Sequence, residues 1–303
     1  MLSILQTTRN VRLTTPGRLL PWMGMAIRGL VGARLKATTC LCGPPDELGK
    51  ITHQTGCAYG ETIDATPTPA NRNFAGQDDG FRPVVIAPQF PCKVALKPGD
   101  GFRVTVSFFG STAIAWHDLF WETFAHCGQD SAAGFNPFHT QFTLEPILTR
   151  KSVDINPVRP LKNKDSAVDL EIELTSPLFL REEYQRGKHR TIFEPTFADF
   201  MGASLRTLGG LFRCYDKPLQ ADFARMKELA ASVLTESHSF RPFKQLRHSN
   251  RTDHRAVLQG VIGKAQFRQV PVELIPWIHY AGIVHVGPHR VAGAGGWKTT
   301  LMQ

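Results

Sequence analysis

Residues 83–128 read PVVIAPQFPCKVALKPGDGFRVTVSFFGSTAIAWHDLFWETFAHCG, and the alternation of patterns inside this stretch decides the fold. PVVIAP at 83–88 and FRVTVSFFG at 102–110 are short runs rich in β-branched and aromatic residues, which predicts two strands. LKPGDG at 96–101 places Pro and Gly where the chain must reverse, so the strands are expected to form a hairpin. In AIAWHDLFWETFAHCG at 113–128, Trp116, Leu119, Phe120, Phe124 and Cys127 recur at spacings of three and four, which predicts a helix with one apolar face. FHTQFTLEPIL at 138–148 returns to strand. Upstream, WMGMAIRGLVGARLKA at 22–37 predicts an earlier helix with Trp22, Ala26, Leu30 and Ala33 on one face and a basic side made by Arg28, Arg34 and Lys36. Its glycines Gly24, Gly29 and Gly32 lower the intrinsic propensity. Residues 40–82, rich in Gly, Pro, Thr and Asp, show no sustained period and are expected to form a long irregular loop.

Beyond this lobe the composition turns polar and basic between Thr149 and Ala167, with Arg150, Lys151, Arg159, Lys162 and Lys164 around two prolines. Such a stretch marks a lobe boundary, giving domains at 1–150 and 165–303. The same grammar then repeats. VDLEIELTSPLFL at 168–180 alternates as a strand, and Phe197, Phe200, Met201, Leu205 and Leu208 stand at helical spacing within 195–213. FARMKELAASVLT at 223–235 is a further expected helix, VLQGVIGKAQFR at 257–268 and GIVHVG at 282–287 are expected strands, and the chain is expected to end in a glycine-rich turn. Strands interleaved with helices in two lobes predict a duplicated α+β fold, each antiparallel sheet covered by helices on one face.

A chain of 303 residues with 42% hydrophobic and 20% charged residues can bury two cores, which excludes global disorder. No run approaches 18 uninterrupted apolar residues, so a membrane span is not expected. Lys and Arg total 35 against 26 Asp and Glu, a net charge of +9 that favours a polyanionic partner, nucleic acid first. The first acidic residue is Asp46, so the start is acid-poor, and an organellar leader is the alternative reading of that stretch. The six cysteines are irregularly spaced without a secretory signal, which points to free thiols in a reducing compartment, the cytoplasm.

Two local patterns carry possible chemistry. HVGPHRVAGAGGWK at 285–298 contains G-x5-G-x-G at Gly287, Gly293 and Gly295, with His289, Arg290 and Lys298 alongside. Glycines that allow positive φ, beside cations and exposed amides, read as a phosphate cradle; a tight terminal hairpin is the alternative. A dinucleotide-binding loop would need a helix after it, and too few residues remain. Cys40, Cys42, His53 and Cys57 form C-x-C-x10-H-x3-C, four potential zinc ligands, although structural sites usually pair thiols as C-x2–4-C. On this ground no metal is expected. His117, His126 and His279 lie among apolar residues and read as satisfied core histidines, while Tyr59, Phe74 and Phe81 read as anchors of the long loop.

Taken in order, the blocks resemble one family. RGLVGARLK at 28–36, Cys57-Ala58-Tyr59, RPVVIAP, LKPGDGFRVTVSFFG, TSPLFL, the helix around Leu205 and Leu208, RHSNRTDHRAVLQGVIG at 247–263 and the terminal glycines are similar to the CRISPR repeat-RNA processing endoribonucleases of the RAMP superfamily. The resemblance implies two tandem ferredoxin-like domains, with a long loop at 40–82 in the first and the glycine-rich loop at 287–296 in the second. It also implies metal-independent and cofactor-free cleavage of precursor CRISPR RNA to a 2′,3′-cyclic phosphate and a 5′-hydroxyl. The product would be retained with other subunits of an effector complex. Many relatives carry a histidine after the second glycine of the first-helix motif, where this chain has Ala33. Three readings of the site stay open: Arg28, Arg34 and Lys36 stabilise the phosphorane; His53 returns from the loop to the scissile phosphate; or the chain binds repeat RNA without cutting it. RNA contacts are expected from Arg247, Ser249, Asn250 and Arg251 and from Gly287, His289, Arg290, Gly293, Gly295 and Lys298.

Overall fold

The structure, a computed structural model, describes residues 1–44, 47, 51–64, 81–135, 139–158, 166–249 and 254–302. The chain divides into two compact units. One comprises Met1–Ile155, Gly209–Pro218 and Val291–Gly293; the other Asn156–Leu208, Leu219–Arg290 and Ala294–Gln303.

In the first unit the order is β1 (Leu2–Leu13), β2 (Gly17–Arg18), α1 (Gly24–Thr39), α2 (Ala58–Thr62), β3 (Val84–Pro88), β4 (Ala95–Leu96), β5 (Gly101–Phe109), α3 (Gly110–Ala115), α4 (His117–Gln129) and β6 (Phe142–Ile155). The main sheet is antiparallel in the order β3-β5-β1-β6. With α1 and α4 as crossovers, this is a ferredoxin-like βαββαβ arrangement. Its central strand, β1, was not expected. Leu2, Ile4, Thr7, Val11 and Leu13 are buried along it, but Thr, Arg and Asn at the intervening positions mask the alternation. A strand paired on both sides is part of the core, so the organellar-leader reading of this stretch is corrected.

Three further expectations change. The buried stripe of α1 is Gly24, Ile27, Val31, Gly32 and Leu35; Ala33 is exposed and Trp22 precedes the helix. The glycines are on this stripe because a Cβ at Gly24 would overlap the Ala292 carbonyl oxygen, and one at Gly32 would meet Ile63 at 3.2 Å. The single helix expected at 113–128 is two, divided at Trp116, whose backbone (φ −89°, ψ 5°) leaves the helical region. β6 continues to Ile155, so Arg150 and Lys151 belong to the sheet edge rather than to a linker. Phe108, Phe120, Trp121, Phe124 and Phe142 fill the interior, with Phe108 and Phe120 edge to face at 5.5 Å.

The second unit runs β7 (Ala167–Leu174), β8 (Arg181–Gln185), β9 (Lys188–Thr191), α5 (Phe197–Tyr215), α6 (Phe223–Ala231), β10 (Leu234–His238), β11 (Arg241–Ser249), β12 (His254–Ile262), β13 (Lys264–Pro271), α7 (Ile275–Val284) and β14 (Trp297–Met302). Its sheet order, β10-β13-β7-β14, repeats that of the first unit. On α5, Phe197, Phe200, Met201, Leu205 and Leu208 are buried, as their spacing requires. Phe200 meets Trp297 edge to face at 5.2 Å and Phe267 at 6.0 Å. The strand expected over 168–180 ends at Leu174; Leu178 then bridges separately to Val261. GIVHVG at 282–287 is not a strand: Gly282–Val284 close α7, which is largely apolar with His279 exposed, and His285 turns the chain at φ 59°. Short apolar runs cannot be divided between strand and helix by periodicity alone. The chain ends in β14, paired with β7, rather than in a turn. Among the described residues, no helix is long and apolar enough to cross a membrane.

Candidate nucleic-acid interface

The cations of α1 do not form one basic side. Each helical residue turns about 100°, which puts Arg34 and Lys36 on opposite flanks of the buried stripe. Lys36 is exposed in the last turn, where a cation complements the helix dipole. Arg34 donates to the Asp130 carboxylate at 3.1 Å, and Arg28 is half-buried one helical turn after Gly24.

His53 is enclosed. Its side chain is 3% exposed, its Nδ1 lies 3.6 Å from Cys40 Sγ and 3.5 Å from Cys57 Sγ, and its Nε2 faces Asp64 at 3.3 Å. The Tyr59 ring meets it edge to face at 5.5 Å. This geometry corrects the expectation of a loop histidine that returns to a phosphate, because both ring nitrogens and the ring faces are engaged inside the protein. Cys40, Cys42, His53 and Cys57 bring their ligand atoms within 4.8 Å of one another. The Cys42 thiol is drawn down to about 7, first by the Gln54 N–H and then by His53, whereas burial pushes Cys57 up to about 11. Burial likewise raises Cys92 and Cys127 to about 11, as inert interior thiols.

The glycine-rich loop departs from the phosphate-cradle reading. Gly287, Gly293 and Gly295 do adopt positive φ, of 75°, 78° and 72°. Their purpose is close packing: a Cβ at Gly293 would overlap the Ile86 carbonyl oxygen and one at Gly295 that of Val286. The amides are already engaged. Ala294 donates to the His289 carbonyl, Gly295 to that of Pro177 at 2.9 Å and Gly296 to Ser176 Oγ at 2.9 Å. Arg290 is 7% exposed and donates at 3.1 Å to the Val284 carbonyl, so it caps the end of α7 instead of facing an anion. Lys298 is exposed on the edge strand β14.

Within the second unit, Phe179 joins this loop to the β11–β12 ribbon. His289 lies edge-on to the Phe179 ring at 5.4 Å, Phe243 of β11 meets it at 6.3 Å, and a Cβ at Gly287 would touch the Phe179 carbonyl oxygen at 3.0 Å. Along the ribbon, Phe243 and Gln245 are buried while Arg241, Lys244 and Leu246 are exposed. Leu246 (58% exposed) pairs across with Val257 (54%), and Lys244 with exposed Gln259. On the face opposite Phe243 and Gln245, exposed Lys244 stands beside this aliphatic pair, suited to a phosphate backbone with sugars and bases against it, whereas Arg241 shares the register of Phe243. Arg247 is half-buried on β11 and Ser249 is its last residue. Asn250 and Arg251, expected beside them, lie outside the described residues. Lys244 was missed by sequence reading; its alternation with Phe243 and Gln245 was the available signal.

Of the histidines read as core residues, only His117 is one, held by Thr7 Oγ1 at 2.8 Å and Asp118 at 2.6 Å. His126 and His279 are exposed on helix surfaces. Tyr59 anchors the loop through His53, and Phe81 does so through Gly210 and through its carbonyl, which accepts from the Tyr215 hydroxyl. Phe74 lies outside the described residues.

Residues 2–168 match the family model AF_1859_N, an N-terminal domain, and residues 172–297 match that of CRISPR-associated endoribonuclease Cas6. No curated protein sequence is similar to the chain. Among solved structures, the Cas6 of a product complex superposes at a TM-score of 0.59 with 13% identity, covering 99% of this chain and 100% of that one. Thermus thermophilus Cas6 follows at 0.52 and 12%, with 99% of both chains covered. A chain of a partial Cas6-RT-Cas1–Cas2 complex gives 0.57 and 14%; it covers all of this chain, which spans 46% of that one. Identities this low speak for a common fold of two ferredoxin-like domains. With the two models placed in order on that tandem fold, the chain joins an AF_1859_N domain at 2–168 to a domain of the CRISPR-associated endoribonuclease Cas6 family at 172–297.

Proposed function

We propose that the chain is a metal-independent endoribonuclease that cuts precursor CRISPR RNA within its repeats and holds the cleaved RNA as a cytoplasmic subunit of an effector complex. The observation that carries this reading is the ordered match of both family models across nearly the whole chain. In the reaction, the 2′-hydroxyl beside the scissile phosphate attacks phosphorus. The 5′-oxygen leaves with a proton, giving a 2′,3′-cyclic phosphate and a 5′-hydroxyl. The charge of the crowded phosphorane is balanced by Arg28 and Lys36 of α1, while Arg34, on the opposite flank, keeps its ion pair with Asp130. One well-aimed donor supplies about 2.7–4 kcal/mol of transition-state stabilisation. The β11–β12 ribbon grips the repeat through Arg247 and Ser249, Asn250 and Arg251 add to that grip, and His289 and Lys298 extend the contact.

The test is single-turnover cleavage of the cognate repeat at saturating protein in buffer without added divalent ions. Arg28→Ala is expected to slow cleavage by about 10²–10³ while the RNA remains bound. The upstream fragment should resist phosphatase until acid opens its cyclic phosphate. Intact RNA in a stable complex with the wild-type protein would overturn the nuclease reading.

One observation favours a second reading, a noncatalytic repeat-RNA-binding subunit. Ala33 replaces the motif histidine, and His53, the loop alternative, is enclosed by thiols and Asp64.

A further inference from the structure

The chain segment after α1 closes back on itself through four side chains that sequence spacing had argued against. Cys40 caps the C-terminus of α1 with extended backbone (φ −91°, ψ 101°). In extended chain, residues two apart point to the same side, so C-x-C here converges two thiols instead of splaying them. Cys57 caps the N-terminus of α2, and His53 sits one turn before it. Among the described residues this is the group of three or more His, Cys, Asp and Glu side chains whose ligand atoms converge.

We infer that Cys40, Cys42, His53 and Cys57 form a structural zinc site that staples the end of α1 to the start of α2. The dimensions fit. Zinc binds sulfur at about 2.3 Å and imidazole nitrogen at about 2.0–2.1 Å, and a tetrahedron of those bonds separates sulfur from nitrogen by about 3.5 Å. Nδ1 of His53 lies 3.6 Å from Cys40 Sγ and 3.5 Å from Cys57 Sγ. The surroundings fit as well. Metal-bound histidines give their second nitrogen to a carboxylate or carbonyl, and His53 Nε2 faces Asp64 Oδ2 at 3.3 Å. Two backbone amides point at sulfur, Gln54 to Cys42 at 3.4 Å and Gly60 to Cys57 at 3.5 Å, as thiolate charge requires. Gly60 has no alternative, since a Cβ there would overlap the His53 ring. Four protein ligands close the coordination sphere, so the ion has no open position for substrate or water and takes no part in cleavage.

The experiment is elemental analysis of the full chain purified without chelator, with cobalt(II) substitution as a probe that needs no variant. The expected result is about one zinc per chain and, after exchange, the intense visible bands of tetrahedral thiolate-bound cobalt. Cys42→Ser with Cys57→Ser should reduce the zinc to background, whereas Cys127→Ser, outside the cluster, should retain it. If the double variant fails to fold, the cobalt spectrum of the wild type still decides. Absence of zinc together with only weak octahedral cobalt bands, or a disulfide among the three thiols in the native mass spectrum, would overturn the assignment. Neither result depends on cleavage, so failure here leaves the nuclease proposal standing, and the converse holds.

Discussion

The two units share one strand order, in which the first strand lies between the third and the fourth, but each is extended at a different point of that frame. The first carries its extra structure between α1 and β3, where α2 and the Cys/His cluster fold inward and Ile63 packs on Gly32. The second inserts the β11–β12 ribbon between its two neighbouring strands β10 and β13 and leaves a cationic, aliphatic face exposed. The difference teaches that the same scaffold uses one insertion for bracing and another for display. Function on a shared fold resides in such grafted segments, not in the frame.

The comparison can be broken most severely at the two cores. Phe120→Ala in the first unit and Phe200→Ala in the second each remove a fully buried ring, and each should cost about 3–5 kcal/mol in denaturant unfolding. A silent result in either would end the equivalence of the two interiors. Next in size are two glycines at which an added Cβ would overlap a neighbour, the His53 ring at Gly60 and the Leu178 carbonyl oxygen at Gly260. Gly60→Ala and Gly260→Ala should each cost about 1–3 kcal/mol through overpacking, read as a lowered unfolding midpoint.

Display and bracing separate more finely among the cations. Lys244→Ala and Arg247→Ala should each lower the slope of log affinity against log salt by about 0.7, measured by filter binding to single-stranded repeat RNA. Arg290→Ala should leave that slope unchanged and instead lose about 1–3 kcal/mol of stability, because the buried Val284 carbonyl loses its partner. The smallest effect is in the sheets themselves. Glu145 is held below the usual carboxylate range by Arg12 and then Asn10, and Glu171 by Lys264 and then Gln266. Carboxyls depressed in the folded state stabilise it above their unfolded pKa, and that contribution disappears as pH falls through the folded value. In carboxyl NMR titrations, Arg12→Ala should raise the Glu145 midpoint and Lys264→Ala that of Glu171, each without moving the other.

Much of this frame was legible before any coordinates. The hairpin of residues 83–110, the apolar face of α4 and the apolar stripe of α5 follow directly from periods of two and 3.6, whereas the break at Trp116 does not. β1 was not legible, because Gln6, Thr8, Asn10 and Arg12 are tolerated on the open side of a sheet, and Arg9, which lies over the Trp121 ring, interrupts the apolar side. The end of α7 was read as a strand because a helix that is apolar over most of its surface loses its amphipathic signature. At the candidate site, charge and spacing singled out His53 and Arg290, but whether such a group faces solvent or a neighbouring carbonyl depends on chain reversals that no local pattern encodes. The ribbon is the opposite case, since its alternating exposure is a local property and could have been read.

The interleaving of segments has a consequence for anyone dissecting the protein. Val291–Gly293 and Gly209–Pro218 group with the N-terminal unit, although the first is translated after most of the partner unit and the second from within it. A gene split near codon 156 would therefore amputate the Ala292 carbonyl from its notch at Gly24 and the Tyr215 phenol from Phe81. Covalent order and architectural allegiance part company here. On a ribosome, the N-terminal lobe cannot reach its finished form until Gly293 has emerged.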